Sequence, residues 1–223
     1  MKTPKRSIPK IIEEQAKKWQ IMKAGGKKEA AGFPVITISR EPGSGGRIVA
    51  TSLAEKLGLD LFHQEIINEM AESAQVSNRI LETLDEKGLS VLEEWITSLV
   101  DNRHLWPDQY LRHLMKVIGT IGKHGNAVIV GRGANFVLPP KGRIRVRIVA
   151  PLDVRVENVS SNFGVSAEEA KRRIIRTESE RRAFIRKYFN ADITDPINYD
   201  LVLNTGTLSI EAAADAIKSA SEP

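Results

Sequence analysis

The sequence predicts an α/β protein with three layers, in which helices cover both faces of a five-stranded parallel sheet. Short apolar runs rich in Val and Ile alternate five times with longer segments of helical spacing along the 223 residues. A glycine-rich loop follows the first of these runs, which indicates a buried strand that passes directly into a helix. An arginine-rich segment near the carboxyl end adds a predicted helical lid.

The periodicity places the elements along the chain. The strands are expected at residues 35–38, 59–62, 127–130, 144–150 and 199–204. The helices are expected at residues 48–57, 64–74, 77–87, 90–101, 107–124, 152–160 and 208–220, with two helical segments between 166 and 190. Because strands and helices alternate, the strands should pair in parallel.

The composition limits the classes of function. The formal net charge of +5 suits anionic partners, either nucleotides or nucleic acid. The absence of cysteine excludes disulfides, thiolate metal sites and cysteine nucleophiles, and it fits a reducing cytoplasm. No apolar run has the length of a membrane span, and the first residues lack a signal-peptide core. We therefore expect a cytoplasmic protein without a membrane partner.

Two parts of the chain differ in composition. Residues 1–31 form a basic helical extension, and residues 32–223 form the main domain. In the extension, Ile12, Ala16 and Trp19 recur at helical spacing. This helix is expected to pack on the domain or on a second copy of the chain, which would give a homo-oligomer. The alternative is an arm that binds nucleic acid or a membrane surface.

The loop at residues 43–47 predicts a phosphate site. Three glycines in four residues allow a tight turn whose N–H groups converge, and the following helix adds the positive end of its dipole. When Gly46 is set as the last glycine of the motif G-x-x-x-x-G-K-[ST], Arg47 takes the lysine position and Ile48 the hydroxyl position. A plain tight turn is the alternative interpretation.

A metal ion would need other oxygens, because Ile48 has no hydroxyl group. Glu41 is the nearest acid in sequence and Ser44 the nearest hydroxyl, so they are the candidates for Mg²⁺, with Glu41 acting directly or through water. The alternative is that Glu41 only pairs with Arg40 or with an arginine of the lid.

Polar residues follow two further predicted strands. His63 and Glu65 come after the second strand, and Arg132 lies between two glycines after the third. Because the carboxyl ends of parallel strands face the ligand crevice, all three are candidates for contacting a substrate. A guanidinium group suits a phosphate there. A capping or surface role for His63 and a surface turn for Arg132 are the alternatives.

The lid is predicted at residues 164–192, where basic side chains recur at helical spacing. Arg176 lies on one helix face with the arginine four residues earlier, and Arg182 and Arg186 share a face in the same way. Such a segment can hold an anion and exclude water from the site. A solvated pair of helices is the alternative.

Several motifs together resemble a known family. They are ITISRE at 36–41, GSGGR at 43–47, VGRG at 130–133 and YDLVLNT at 199–205, with the lid arginines. Over residues 35–217 the chain resembles the cytidylate-kinase-like family, a branch of the nucleoside monophosphate kinases. The resemblance implies the P-loop nucleotide-kinase fold and phosphoryl transfer from ATP, with Mg²⁺, to CMP or dCMP.

The resemblance also implies roles for individual residues. Arg132 would hold the acceptor phosphate, and Arg176, Arg182 and Arg186 would bridge the donor and acceptor phosphates. The residues that would hold the ATP phosphates are Gly43, Ser44, Gly45, Gly46 and Arg47.

The sequence departs from the family pattern at the acceptor side. Val130 and Gly133 stand where the family carries aspartates, and His63 stands where an aspartate is usual. We therefore expect weak discrimination among CMP, UMP and dCMP. Two other functions are considered: a kinase of another small phosphate-accepting metabolite or a catalytically weak nucleotide-binding regulator, and a nucleic-acid-binding protein that uses the basic arm and lid.

Overall fold

The computed structural model describes residues 7–25 and 34–221 of the chain. The described strands form one five-stranded parallel sheet in the order β2-β3-β1-β4-β5. The strands are β1 (Val35–Arg40), β2 (Asp60–Phe62), β3 (Ala127–Val130), β4 (Arg143–Val149) and β5 (Leu201–Asn204). This result confirms the predicted fold class.

Helices cover both faces of the sheet and complete the three layers. They are α1 (Ile8–Ala24), α2 (Gly46–Leu57), α3 (Gln64–Glu72), α4 (Ala74–Leu81), α5 (Glu86–Arg103), α6 (Gln109–His124), α7 (Ala134–Val137), α8 (Leu152–Phe163), α9 (Ala167–Phe189) and α10 (Ile210–Ser221). A short 3-10 helix, Pro196–Asn198, precedes β5.

Two apolar clusters hold the layers together, because alternate residues of each central strand point to opposite faces. Ile36 and Ile38 of β1 join α2 and α10 in one cluster, whereas Val35 joins the larger cluster with α1, α3 and α6. β1 lies between β3 and β4, so its carboxyl end opens at the centre of the sheet edge. The loops after β1 and β3 therefore meet there.

The helix α1 buries its apolar face against this chain's own core. The Trp19 ring stacks on the His124 ring at a centroid distance of 4.3 Å and on the Phe62 ring at 5.9 Å. The Lys18 ammonium lies 2.7 Å from a carboxylate oxygen of Asp60. This is the first of the two packing alternatives for the helix. The predicted boundary between residues 31 and 32 lies outside the described residues, as do several of the basic residues of the extension.

Two helix predictions are corrected by the structure. The break between the helices predicted at 77–87 and 90–101 falls earlier, because the Asp85 carboxylate accepts the Gly88 N–H at 2.7 Å and starts α5. The two helical segments predicted between 166 and 190 are one continuous helix, α9, of 23 residues. None of the helices within 7–25 and 34–221 is long and apolar enough to cross a membrane.

Candidate active site

The loop between β1 and α2 has the backbone of an anion cradle. Gly43 and Gly45 take left-handed φ angles of 82° and 72°, and α2 begins at Gly46. A Cβ atom on Gly43 would lie 2.6 Å from the carbonyl oxygen of Arg155, so a larger residue does not fit there. The first turn of α2 presents N–H groups that have no partner within the helix. Turn and helix together provide donors and positive potential for a phosphate.

The loop after β3 is built from three consecutive residues with left-handed backbone. They are Gly131, Arg132 and Gly133, with φ angles of 83°, 53° and 68°. For Arg132 this conformation is uncommon and costs free energy, and such residues concentrate at functional sites. A Cβ atom on Gly133 would lie 2.1 Å from the Phe189 ring, which explains the glycine there by packing.

A cavity of about 200 Å³ lies at the carboxyl end of β1 and beside the loop after β3. Three arginines line it, from β1, from the loop after β3 and from α9: Arg40, Arg132 and Arg181. The guanidinium carbon of Arg132 lies 5.2 Å from the centroid of the Phe184 ring, a cation–π contact that fixes its position. The lining therefore carries three positive charges and one carboxylate, that of Glu180, which pairs with Arg176, together with an aromatic wall.

The three arginines are held by neutral groups. The Arg40 Nη2 atom donates to Gln64 Oε1 at 2.9 Å, and the Arg181 Nη1 atom donates to the carbonyl oxygen of Arg40 at 2.8 Å. Burial and the charge of Arg181 lower the pKa of Arg40 to about 9. Burial and the charge of Arg132 also lower the pKa of Arg181. With this pKa, Arg40 remains charged at neutral pH, and its neutral partner Gln64 leaves that charge available to an anion.

The predicted residues Arg47, His63 and Glu65 lie together at the edge of this region. The Arg47 Nη1 atom lies 3.1 Å from Glu65 Oε1. Burial, followed by the charge of Arg47, lowers the pKa of His63. Burial acts to raise the pKa of Glu65, but its own backbone N–H and Arg47 outweigh burial and lower it. His63 stands at the N-cap of α3 without a side-chain capping bond.

Four buried polar atoms around the site have no hydrogen-bond partner among the described residues. They are His63 Nδ1, Glu65 Oε2, Arg132 Nε and Asn135 Nδ2. A buried polar atom without a partner costs about 1–3 kcal/mol, and native proteins keep few of them. Most of these unpaired atoms are hydrogen-bond donors at the carboxyl end of the sheet, and they suit a polar ligand that carries negative charge.

The lid helix α9 presents different arginines from those that the sequence predicted. Arg176 is exposed and pairs with Glu180 at 2.9 Å. Arg182 and Arg186 are exposed as well, and Arg182 borders a smaller cavity behind the loop. Arg181, which sequence analysis missed, is the arginine of α9 that lines the main cavity.

A pattern in the sequence could have found Arg181. The buried residues of α9 are Ala170, Ile174, Ile185 and Phe189, spaced four residues apart except for one longer gap. Arg181 continues this stripe four residues before Ile185, whereas Arg182 lies one residue further around the helix. An arginine on the buried stripe must point toward the sheet.

The two candidate metal ligands lie within the loop. The Glu41 carboxylate faces two buried arginines, with Oε1 at 3.7 Å from Arg147 Nη2 and Oε2 at 3.5 Å from Arg155 Nε. The hydroxyl group of Ser44 donates to the carbonyl oxygen of Glu41 at 2.9 Å. This geometry favours the ion-pair alternative for Glu41, although its partners are Arg147 and Arg155 instead of Arg40 or a lid arginine.

The described part of the chain contains no group of three or more His, Asp or Glu side chains suited to a metal ion. Both oxygens of Glu41 are already occupied by arginines or by the Ala150 N–H at 3.1 Å. Magnesium keeps several waters and needs few protein ligands. The residues present therefore fit a magnesium ion that is held mainly by substrate phosphates and water.

The sheet order, the loop after β1 and the arginine-lined cavity define a P-loop kinase of the nucleotide-kinase type. A solved structure of an uncharacterized protein from Eubacterium ventriosum has this fold, with a TM-score of 0.63 and 22% identity over 84% of this chain and 97% of that chain. Residues 35–207 match the family model described as the cytidylate kinase-like family.

Named relatives extend the match. A cytidylate kinase of Methanopyrus kandleri is 32% identical over 199 residues, which cover 85% of this chain and 93% of the relative. A cytidylate kinase of Ignicoccus hospitalis is 30% identical over 184 residues, with coverage of 82% and 96%. The chain belongs to the cytidylate kinase-like family, and by class it is a nucleoside monophosphate kinase.

Proposed function

We propose that the protein transfers the γ-phosphoryl group of ATP to CMP or dCMP. The observation that carries the proposal is the arginine-lined cavity at the end of β1, the strand that leads into the phosphate loop; Arg132, which lines this cavity, has an Nε atom without a partner among the described residues. The name that the relatives share, cytidylate kinase, supports the choice of acceptor.

The donor would bind at the loop after β1. The N–H groups of residues 43–47 would hold the ATP phosphates, with the Arg47 side chain beside them. The acceptor phosphate would bind to Arg132, whose planar guanidinium group can contact two oxygens. Arg176, Arg182 and Arg186 would reach the phosphates only if α9 moves or rotates, whereas Arg181 already lies on the cavity.

The chemical step requires positioning and charge neutralisation. An oxygen of the dianionic acceptor phosphate forms a bond to the γ-phosphorus while the bond from that phosphorus to the β–γ bridging oxygen breaks. The electron pair of the broken bond leaves with ADP. The arginines of the cavity stabilise the negative charge that spreads over the transferred group. Magnesium, when bound with ATP, offsets charge on the donor phosphates.

The enclosure of the site favours a small anion over a nucleic acid. The cavity of about 200 Å³ is bounded by Phe184 and Ile185 of α9 on one side and by the loop after β3 on the other. A polynucleotide backbone requires an open track of positive charge. A nucleoside monophosphate requires one strong phosphate contact and a partly apolar wall, for which Arg132 and the Phe184 ring are the candidates.

A turnover screen tests the proposal. ADP release is measured with ATP, Mg²⁺ and each of CMP, dCMP, UMP, AMP and GMP as acceptor. We expect turnover with CMP or dCMP, and an Arg132→Ala variant that loses it. Arg172→Ala is the matched control, since this arginine of α9 is exposed and, within the part of the chain that the structure describes, pairs only with Glu169. Turnover with none of these acceptors, or full activity of Arg132→Ala, would contradict the proposal.

A further inference from the structure

The structure allows a second alignment of the loop with the phosphate-loop motif. Within the loop after β1, Gly45 is the last glycine with a left-handed backbone, and Gly46 is the first residue of α2. If Gly45 is the last glycine of G-x-x-x-x-G-K-[ST], then Gly46 stands at the lysine position. Arg40 stands at the position of the first glycine. Relative to the motif, this chain therefore has glycine at the lysine position and arginine at the position of the first glycine.

The two exchanges compensate each other sterically. A Cβ atom on Gly46 would lie 2.6 Å from the Cβ atom of Arg40 and 3.1 Å from that of Ile148. The contact with Arg40 is shorter than real Cβ atoms show in packed proteins, and the contact with Ile148 is tight. Only one of positions 40 and 46 can therefore carry a long side chain. In the standard motif the long side chain is the lysine at the start of the helix, whereas here it is Arg40 at the end of β1.

The side chain of Arg40 extends from the end of β1 toward the loop after β3. Its Nη1 atom would lie 2.5 Å from a Cβ atom on Gly131, so the guanidinium group lies against the loop that carries Arg132. Its Nη2 atom is bound to Gln64. The group borders the main cavity and also the smaller cavity behind the phosphate loop. The base of the Arg40 side chain therefore lies against the start of α2, and its guanidinium group lies against the loop that carries Arg132.

We propose that Arg40 is a catalytic residue that contacts the transferred phosphoryl group and replaces the lysine of the standard motif. This proposal rests on the proposed function, because it assigns one cation of the same site. The neutral partner Gln64 holds the guanidinium group without neutralising it. Arg47, at the edge of the region, pairs with the Glu65 carboxylate and is more exposed. Arg40 is thus the better-placed cation for a charge that develops during transfer.

A pair of exchanges tests this assignment. Arg40→Gly should lower kcat by a factor of about 10²–10³, as the loss of one preorganised donor does. Gly46→Lys alone should be destabilised, because the new side chain meets Arg40. The double variant Arg40→Gly/Gly46→Lys restores the order of the standard motif and should regain at least tenfold over Arg40→Gly. A wild-type kcat for Arg40→Gly, or a folded double variant no faster than Arg40→Gly, would overturn the proposal.

A second pair of variants covers the case in which Arg40→Gly does not fold. Arg40→Lys and Arg40→Met have similar length, and only the first keeps a charge. We expect Arg40→Lys to be faster than Arg40→Met by tenfold or more, with circular dichroism confirming that both are folded. Equal rates would overturn the proposal. Arg172→Ala serves again as the exposed control.

Binding measurements separate this proposal from the proposed function. Calorimetry with ATP and with adenosine measures the contribution of the phosphates to affinity. Arg40→Met should weaken ATP binding and leave adenosine binding unchanged. If the wild type transfers phosphate to none of the monophosphates but Arg40→Met still loses ATP affinity, the proposed function is wrong and Arg40 remains the phosphate-binding cation. If ATP affinity and kcat are both unchanged, the role of Arg40 is wrong.

Discussion

The variant Glu41→Gln decides between a metal ligand and an ion-pair partner within the phosphate loop. The Glu41 side chain is about one-fifth exposed, and its carboxylate faces Arg147 and Arg155 at 3.7 and 3.5 Å. Removing one partner of a buried ion pair typically costs about 3–5 kcal/mol. Here Arg155 keeps Glu178, and the amide oxygen can still accept the N–H of Ala150. We therefore expect a loss of about 2–3 kcal/mol.

Urea unfolding and a magnesium titration measure the two roles separately. With a denaturant slope of about 1–3 kcal/mol per molar urea, the expected loss lowers the unfolding midpoint by roughly 0.7–3 M. The magnesium concentration for half-maximal rate should stay the same, because the carboxylate is occupied by arginines. Glu169→Gln, at an exposed acid of α9, should leave both quantities unchanged. An unchanged unfolding midpoint combined with a much higher magnesium requirement would refute the ion-pair argument.

Three further predictions follow from the site and the core. Arg47→Ala should cost about 2–4 kcal/mol of transition-state stabilisation, measured as kcat/KM, and unchanged turnover with unchanged nucleotide affinity would contradict a role for Arg47 beside the donor phosphates. The ratio of kcat/KM values among CMP, UMP and dCMP should stay below about a hundredfold, because Gly133 has no side chain that could contact the base. A stronger preference would show that another residue recognises the base, and the unpartnered Nδ2 atom of Asn135 is the first candidate. Burial lowers the pKa of His124 from 6.5 to about 4, so the unfolded chain binds the extra proton as pH falls through this window. Urea unfolding should therefore show a loss of about 2–3 kcal/mol between pH 7.5 and 4.5 that is absent in His124→Gln, and equal pH dependence in both proteins would contradict it.

The sequence was sufficient for the fold and for the two loops of the site. The apolar run before GSGG predicted the strand, and the glycines predicted the turn into the helix, because glycine tolerates the left-handed backbone found at Gly43 and Gly45. The glycines around Arg132 marked a strand-end loop for the same reason. These features are local, because a few consecutive residues determine the backbone conformation.

The side-chain arrangement of the site could not be predicted in the same way, because it depends on residues that are distant in sequence. Gly133 suggested a missing substrate contact, but the Phe189 ring occupies the space where its side chain would be. The apolar stripe of α9 separates Arg181 from Arg182, but whether that stripe borders this cavity depends on how α9 packs on the sheet. Arg40 ends an ordinary strand, and its side chain occupies space that is free only because Gly46, six residues later, has no side chain.

The partners of the buried arginines distinguish a functional from a structural role. Arg147 and Arg155 lie behind the phosphate loop and face the carboxylates of Glu41 and Glu178, so their charges are compensated within the protein. Among the described residues, none of the three arginines of the cavity forms an ion pair with a carboxylate.

Burying uncompensated charge is unfavourable for folding, as the lowered pKa of Arg40 shows. A phosphate dianion in the cavity would supply the missing negative charge. The folded protein therefore carries the electrostatic cost before the substrate arrives, and the arginines need little reorganisation when the phosphoryl group passes between donor and acceptor. Replacing Gln64, which holds Arg40 through a neutral oxygen, with an acid would neutralise this charge in advance. On this reasoning Gln64→Glu should make the protein more stable in urea and a slower kinase, and a variant that gained stability without losing turnover would contradict it.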